Sequence, residues 1–188
     1  MALPRNRGWA AVDYLAFERA SELRHELIDG EIYAMTGASR EHNLISTNLV
    51  RLIGNQLQNQ SCEVYASDMR VKTSATGYSY PDVVVVCGEP VLEDSHGDTL
   101  LNPTVVIEIL SPSTERYDRG AKFQQYRALA SLQTYILVSQ ESPRIEMYTR
   151  QSDGVWVLSE MADLANGVLE IAIIGCTLSL ADIYARVF

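Results

Sequence analysis

The sequence predicts an α/β protein: one central mixed β-sheet flanked by helices, with an N-terminal hairpin and extra C-terminal strands. Three observations predict it. Pro81–Cys87 and Thr104–Leu110 are near-continuous in Val, Ile and Leu, as in strands buried on both faces of a helix-covered sheet. Glu41–Gln58 and Thr114–Leu129 read as helices, one before and one after those strands. Asp29-Gly30 and Asp153-Gly154 each separate two strand-like runs, a hairpin signal because such turns need positive φ.

In chain order, Val12–Ala20 reads as a short helix, and residues 24–35 as a hairpin turning at Asp29-Gly30. In Glu41–Gln58, Leu44, Ile45, Leu49, Leu52, Ile53 and Leu57 form one apolar face, and Ser39 is placed to cap the start. Cys62–Ala66 and Met69–Thr73 are strands ahead of the two buried runs, which are expected to be adjacent. Residues 88–103 read as a polar loop. The helix over Thr114–Leu129 starts after Pro112 with Ser113 or Thr114 as its cap. Gln133–Ser139 is a further strand, and Arg144–Arg150 with Val155–Ser159 a second hairpin. Val168–Ile174 adds a strand and Leu180–Val187 a closing helix.

No repeat, low-complexity tract or linker interrupts the chain, so its 188 residues are read as one domain, 1–188. With 47% hydrophobic and 21% charged residues, the composition is that of a soluble globular protein. Cys62, Cys87 and Cys176 are few, odd in number and far apart. That argues against a disulfide framework or zinc site and for a reducing, cytoplasmic setting. Met1–Phe17 carries Arg5 and Arg7, but Asp13 interrupts its apolar stretch, so it is not a signal-peptide core. No run is long enough for a membrane span. A formal charge of −9 argues against coating of DNA by a basic surface, though an enzyme with a local metal and groove is compatible with it.

Two carboxylates stand out. Asp82 opens a strand of four valines, and Glu108 lies inside Val105–Leu110. A carboxylate in such a run must be paired, protonated or bound to a cation. On neighbouring strands the two can converge, and Mg²⁺ is commonly held by one or two carboxylates plus waters and phosphate. Taken alone, Asp82 reads equally well as an arginine partner or strand-end group, whereas the burial expected of Glu108 favours a site. Lys122, one turn beyond Asp118, could neutralise charge developing on a phosphate, or be a solvent-facing i, i+4 partner of Asp118. Other chemistries lack their patterns: the three histidines show no HExxH spacing, Ser111 and Ser113 no nucleophile elbow, and no glycine-rich phosphate loop is present.

Ser79–Val86, Val106–Thr114 and Asp118–Tyr126, with His25–Ile32 and His42 upstream, resemble the motifs of the Uma-two type family. That family is a group of endonucleases within the PD-(D/E)XK, or restriction-endonuclease-like, superfamily. The resemblance runs from about Ala11 to the C-terminus. It implies a restriction-endonuclease-like fold and a Mg²⁺- or Mn²⁺-dependent endonuclease, a hydrolase of phosphodiester bonds, with DNA as partner. It implies Asp82 and Glu108 as metal-binding catalytic residues and the carbonyl of Ile109 as a further ligand. The superfamily's usual lysine position is Leu110 here, so the lysine role passes to Lys122. Glu26 could complete the metal shell, though an ordinary strand residue is the simpler reading. His42 could contact phosphate or water, or merely order its turn. Tyr126 could brace Lys122, with packing the simpler reading. A homodimer is expected, as the commonest assembly of soluble chains. The rival expectation, a restriction-endonuclease-like module kept for binding or scaffolding without catalysis, stands beside the enzyme.

Overall fold

A computed structural model describes residues 8–188. Arg5 and Arg7 of the N-terminal reading lie outside the described residues.

The first helix, α1 (Ala11–Ala20), is followed by β1 (His25–Ile28) and β2 (Glu31–Ala34). Their turn is the expected one, with φ of 51° at Asp29 and 84° at Gly30. Helix α2 (Arg40–Leu57) starts at Ser39, whose hydroxyl accepts the His42 N–H at 3.1 Å. Strands β3 (Cys62–Ala66), β4 (Arg70–Ser74), β5 (Gly77–Ser79) and β6 (Val83–Cys87) follow. The two-residue β7 (Thr99–Leu100) falls inside the stretch read as pure loop, and β8 (Val105–Leu110) comes next.

The predicted single helix over Thr114–Leu129 is instead three pieces: α3 (Glu115–Tyr117), a π turn (Asp118–Lys122) and α4 (Phe123–Arg127). Neither Ser113 nor Thr114 caps it by a side chain; the Ser111 hydroxyl accepts the Thr114 N–H instead. Beyond lie β9 (Thr134–Ser139), β10 (Ile145–Arg150), β11 (Trp156–Met161), β12 (Val168–Ile171), β13 (Cys176–Ser179) and α5 (Leu180–Ile183). The expected strand to Ile174 therefore ends at Ile171, and the closing helix is shorter than predicted.

The strands form more than the one expected sheet. The central sheet has six, in the order β11-β10-β9-β8-β6-β3, with β8 and β9 parallel and the other pairs antiparallel. A second sheet, β2-β1-β5-β4-β7, takes the N-terminal hairpin and the strand predicted at Met69–Thr73. Strands β12 and β13 pair alone.

The two valine-rich runs are adjacent, as expected: β6 and β8 pair with Val83 opposite Ile107. Both faces of these strands are buried. Val83, Val85, Ile107 and Ile109 pack with Ile45, Leu49 and Ile53 of α2 and with the C-terminal elements. Val84, Val86, Val106 and Leu110 pack with Phe123, Tyr126 and Leu132 on the other side. Tyr14 and Leu15 of α1 cover Leu27 and Tyr78 of the second sheet.

The cysteine expectation is overturned. Cys62 and Cys87 form a disulfide, because β3 and β6 pair in a register that sets these two residues directly opposite one another. Cys176 is free and buried.

Candidate active site

Alternation along β8 decides where Glu108 points. Ile107 and Ile109 face α2, so Glu108 shares the opposite face with Val106 and Leu110, beneath the segment that carries Lys122. Glu108 is only 3% exposed. The β6–β8 register ends at Val83, and one further step sets Asp82 beside Glu108. There the Asp82 carboxylate accepts the Ile109 N–H at 2.7 Å, satisfying a backbone group at the end of the ladder.

Lys122 is buried rather than solvent-facing. Its Nζ lies 3.0 Å from Glu108 Oε1, 3.2 Å from Glu26 Oε1 and 3.8 Å from Asp118 Oδ1. Of the two readings of Lys122, the solvent-facing pair with Asp118 is therefore overturned. Leu110, where the resemblance would have expected a lysine, instead packs with Phe123 and Tyr126 in the core. The π turn helps make the cluster, because its i→i+5 bonding widens the helix locally.

Glu26 is not an ordinary strand residue. Besides facing Lys122, it accepts the Tyr80 N–H at 3.0 Å, which ties β1 to the chain just ahead of Asp82. His42 Nε2 stands 3.1 Å from Asp82 Oδ1, and its buried Nδ1 has no partner among the described residues. Tyr126 lies under the site, its ring 5.7 Å from that of Tyr135, with its hydroxyl unpartnered among the described residues. Ile109 reaches Asp82 through its N–H; the contact seen involves no carbonyl.

Burial pushes the Glu108 carboxyl well above the usual carboxylate range; Lys122 opposes this, while Asp82, Asp118 and Glu26 add to it. Burial disfavours the Lys122 ammonium, but Glu108, Glu26, Tyr126 and Asp118 outweigh it and hold its pKa well above the ordinary lysine range. Asp118, also buried, is raised by desolvation. The site therefore keeps a charged lysine among more carboxylates than it can neutralise.

Two contributors escaped the sequence reading: Asp118 as a member of the cluster, and Tyr117, a residue lining the same cavity whose hydroxyl is buried with no partner among the described residues. The cavity measures about 800 Å³ and is bounded by β1, the start of α2 and the segment after β8.

Among the described residues no group of three or more His, Cys, Asp or Glu side chains is spaced to hold a metal alone. Two carboxylates suffice for Mg²⁺ that keeps waters and substrate oxygens. Among the described residues Glu108 Oε1 is buried with no donor in hydrogen-bonding geometry; its 3.0 Å approach to Lys122 is a charge contact only. An all-oxygen donor pair with one unsatisfied oxygen fits a hard cation such as Mg²⁺ or Mn²⁺.

A family model for Uma2, described as "Putative restriction endonuclease", matches residues 11–181. Two uncharacterized proteins of Synechocystis are similar to the chain. One, slr1290, is 39% identical over 173 residues, covering 92% of this chain and 89% of its own. The other, sll1609, is 36% identical over 152 residues, covering 80% and 86%. The crystal structure of a "putative nuclease belonging to DUF820" from Anabaena variabilis superposes with a TM-score of 0.78. It covers 95% of this chain and 99% of its own at 16% identity, a likeness of fold.

Proposed function

The chain belongs to the Uma2 family, and we propose that it is a metal-dependent endonuclease that hydrolyses phosphodiester bonds in DNA, with Mg²⁺ or Mn²⁺ as cofactor. The observation that carries this reading is the meeting of Asp82, Glu108 and Lys122, from three separate elements, at one cavity. In this reading Asp82, Glu108 and the Ile109 carbonyl hold the metal. When bound, the metal supplies Lewis-acid polarisation of the phosphodiester and a more acidic water. Lys122 orients the attacking water and offsets charge developing on the phosphate. Glu26 fixes the ammonium, and His42 steadies the Asp82 carboxylate. Tyr126 supports Lys122 from below.

The test is thermal melting with and without Mn²⁺, beside a nuclease assay. Saturating metal at ~100 times its Kd stabilises by about 2.7 kcal/mol. Wild type should show that rise and metal-dependent cleavage. Asp82→Asn should lose both, and Lys122→Ala should keep the rise and lose cleavage. An equal rise in wild type and Asp82→Asn puts the metal elsewhere and removes the reading.

One observation favours the rival, a binding or scaffolding module. Glu26, Asp82, Glu108 and Asp118 line the cavity with Lys122, and the whole chain carries −9. Wild type that binds DNA with no cleavage under any divalent metal would establish the rival. A homodimer of single-domain chains completes the proposal, while the Cys62–Cys87 disulfide removes the argument for a reducing, cytoplasmic setting. Among the described residues no helix is long and apolar enough to cross a membrane. Sedimentation at micromolar concentration tests the dimer, and a monomer there removes it.

A further inference from the structure

Tyr117 ends α3, immediately before the π turn. Its hydroxyl is buried and has no hydrogen-bond partner among the described residues, yet the residue lines the cavity. Buried polar groups are almost always partnered, so an orphan hydroxyl at a cavity asks for a ligand. The charges that act on it are those of the candidate site, Glu26 first, then Lys122, Glu108 and Asp118.

The local backbone explains how it gets there. Tyr117 and Lys122 are five residues apart. In an α-helix five steps of about 100° put such residues on largely different faces. The i→i+5 bonding of a π turn brings them over one another. Tyr117 and Asp118 can then both face the site that Lys122 enters.

We propose that Tyr117 is a further catalytic residue, its phenol O–H donating a hydrogen bond to a non-bridging oxygen of the phosphate under attack. The proposal rests on the phosphodiesterase reading above. A phosphate is the ligand this hydroxyl fits best. Among the described residues lining the cavity, Lys122 is the one side chain with a permanent positive charge, and three carboxylates already surround it. Phosphate oxygens must then be met by metal and neutral donors. Burial and the nearby carboxylates hold the phenol well above the ordinary tyrosine range, so it stays a donor and is no base. Tyr126 is the contrast: its hydroxyl is also orphaned, but it does not line the cavity.

The experiment is steady-state cleavage of a fluorescent 20-base-pair duplex with Mn²⁺, for wild type and Tyr117→Phe, beside melting with and without Mn²⁺. The expected result is a kcat lowered about 100- to 1,000-fold, as for loss of one donor to a developing oxyanion. KM should stay within threefold, and the Mn²⁺-induced rise in Tm should be unchanged. An unchanged kcat overturns the proposal. Loss of the Mn²⁺ rise also overturns it, because Tyr117 would then act through the metal site. Wild type that never cleaves removes the nuclease reading and this proposal together, whereas an active wild type matched by Tyr117→Phe removes only this one. If Tyr117→Phe does not fold, difluorotyrosine at position 117 preserves the shape and lowers the phenol pKa. It should add a basic limb to the kcat pH profile that wild type lacks, and no added limb overturns the proposal.

Discussion

Lys122 Nζ stands 3.0 Å from Glu108 Oε1, both side chains buried, one from the π turn and the other from the central strand beneath it. Neither charge has water to fall back on. Removing one partner of a buried pair typically costs about 3–5 kcal/mol, because the other is left uncompensated. Lys122→Met should lower the urea-unfolding free energy by about 3 kcal/mol at pH 7. Adding Glu108→Gln should restore part of that, a coupling of roughly 1–3 kcal/mol. Strict additivity of the two substitutions would show that they do not act as a pair.

The chain should grip DNA with little dependence on salt. Binding loses affinity with a slope near −0.9 per phosphate neutralised by a cationic side chain. The one lysine lining the cavity already faces carboxylates. With Ca²⁺ as a non-cleaving metal, fluorescence anisotropy of a short duplex should give a slope shallower than about −2. A slope of about −5 or steeper would reveal a basic surface outside this cavity.

Acid should dismantle the N-terminal sheet through Asp98. The Arg19 guanidinium beside it, reinforced by Arg70 and Thr99, holds its carboxyl well below the usual range. A carboxyl depressed in the folded state stabilises above its unfolded pKa of about 3.9, and that contribution fades as pH falls below it. The Tm difference between wild type and Asp98→Asn should be widest near pH 6 and shrink below about pH 4. A difference that grows in acid would contradict the assignment.

The Cys62–Cys87 link should be measurable as a thiol count. In denaturant, one thiol should react before reduction and three after it. The link closes a loop across a sequence separation of 25, and a loop of that order contributes about 3 kcal/mol. Reductant should therefore lower the Tm. Three reactive thiols before reduction would show that the cysteines are unpaired.

Signals carried by near neighbours were legible in the sequence. Asp29-Gly30 announced its turn, and Ile45, Leu49 and Ile53 announced the buried face of α2. The unbroken β-branched runs announced two adjacent central strands, and with them Asp82 beside Glu108. Signals that depend on distant pairing were not. Nothing local marks Cys62 as the partner of Cys87; only the β3–β6 register does. Glu26 reads as an ordinary strand residue until the hairpin joins a second sheet whose neighbour supplies the Tyr80 N–H. Apolar spacing over Thr114–Leu129 fits one helix, because periodicity reports which face is buried and not which carbonyl each N–H reaches. Tyr117 was missed for that reason.

A π turn is, counted along the chain, a helix with one residue too many. The alignment of this site is therefore written partly in length rather than in side-chain identity. A Cβ added at Gly120, inside the turn, would meet nothing within 4 Å, so a scan of substitutions would pass over that position as silent. Deleting the same residue would let the turn relax to an α-helix and rotate everything after it by about 100°. Phe123 and Tyr126 could then stay on the sheet, or Tyr117 and Asp118 could stay over the cavity, but not both. Sequence comparisons that score residues column by column give such a position no weight, whereas a gap placed there would mark a protein that has lost the site.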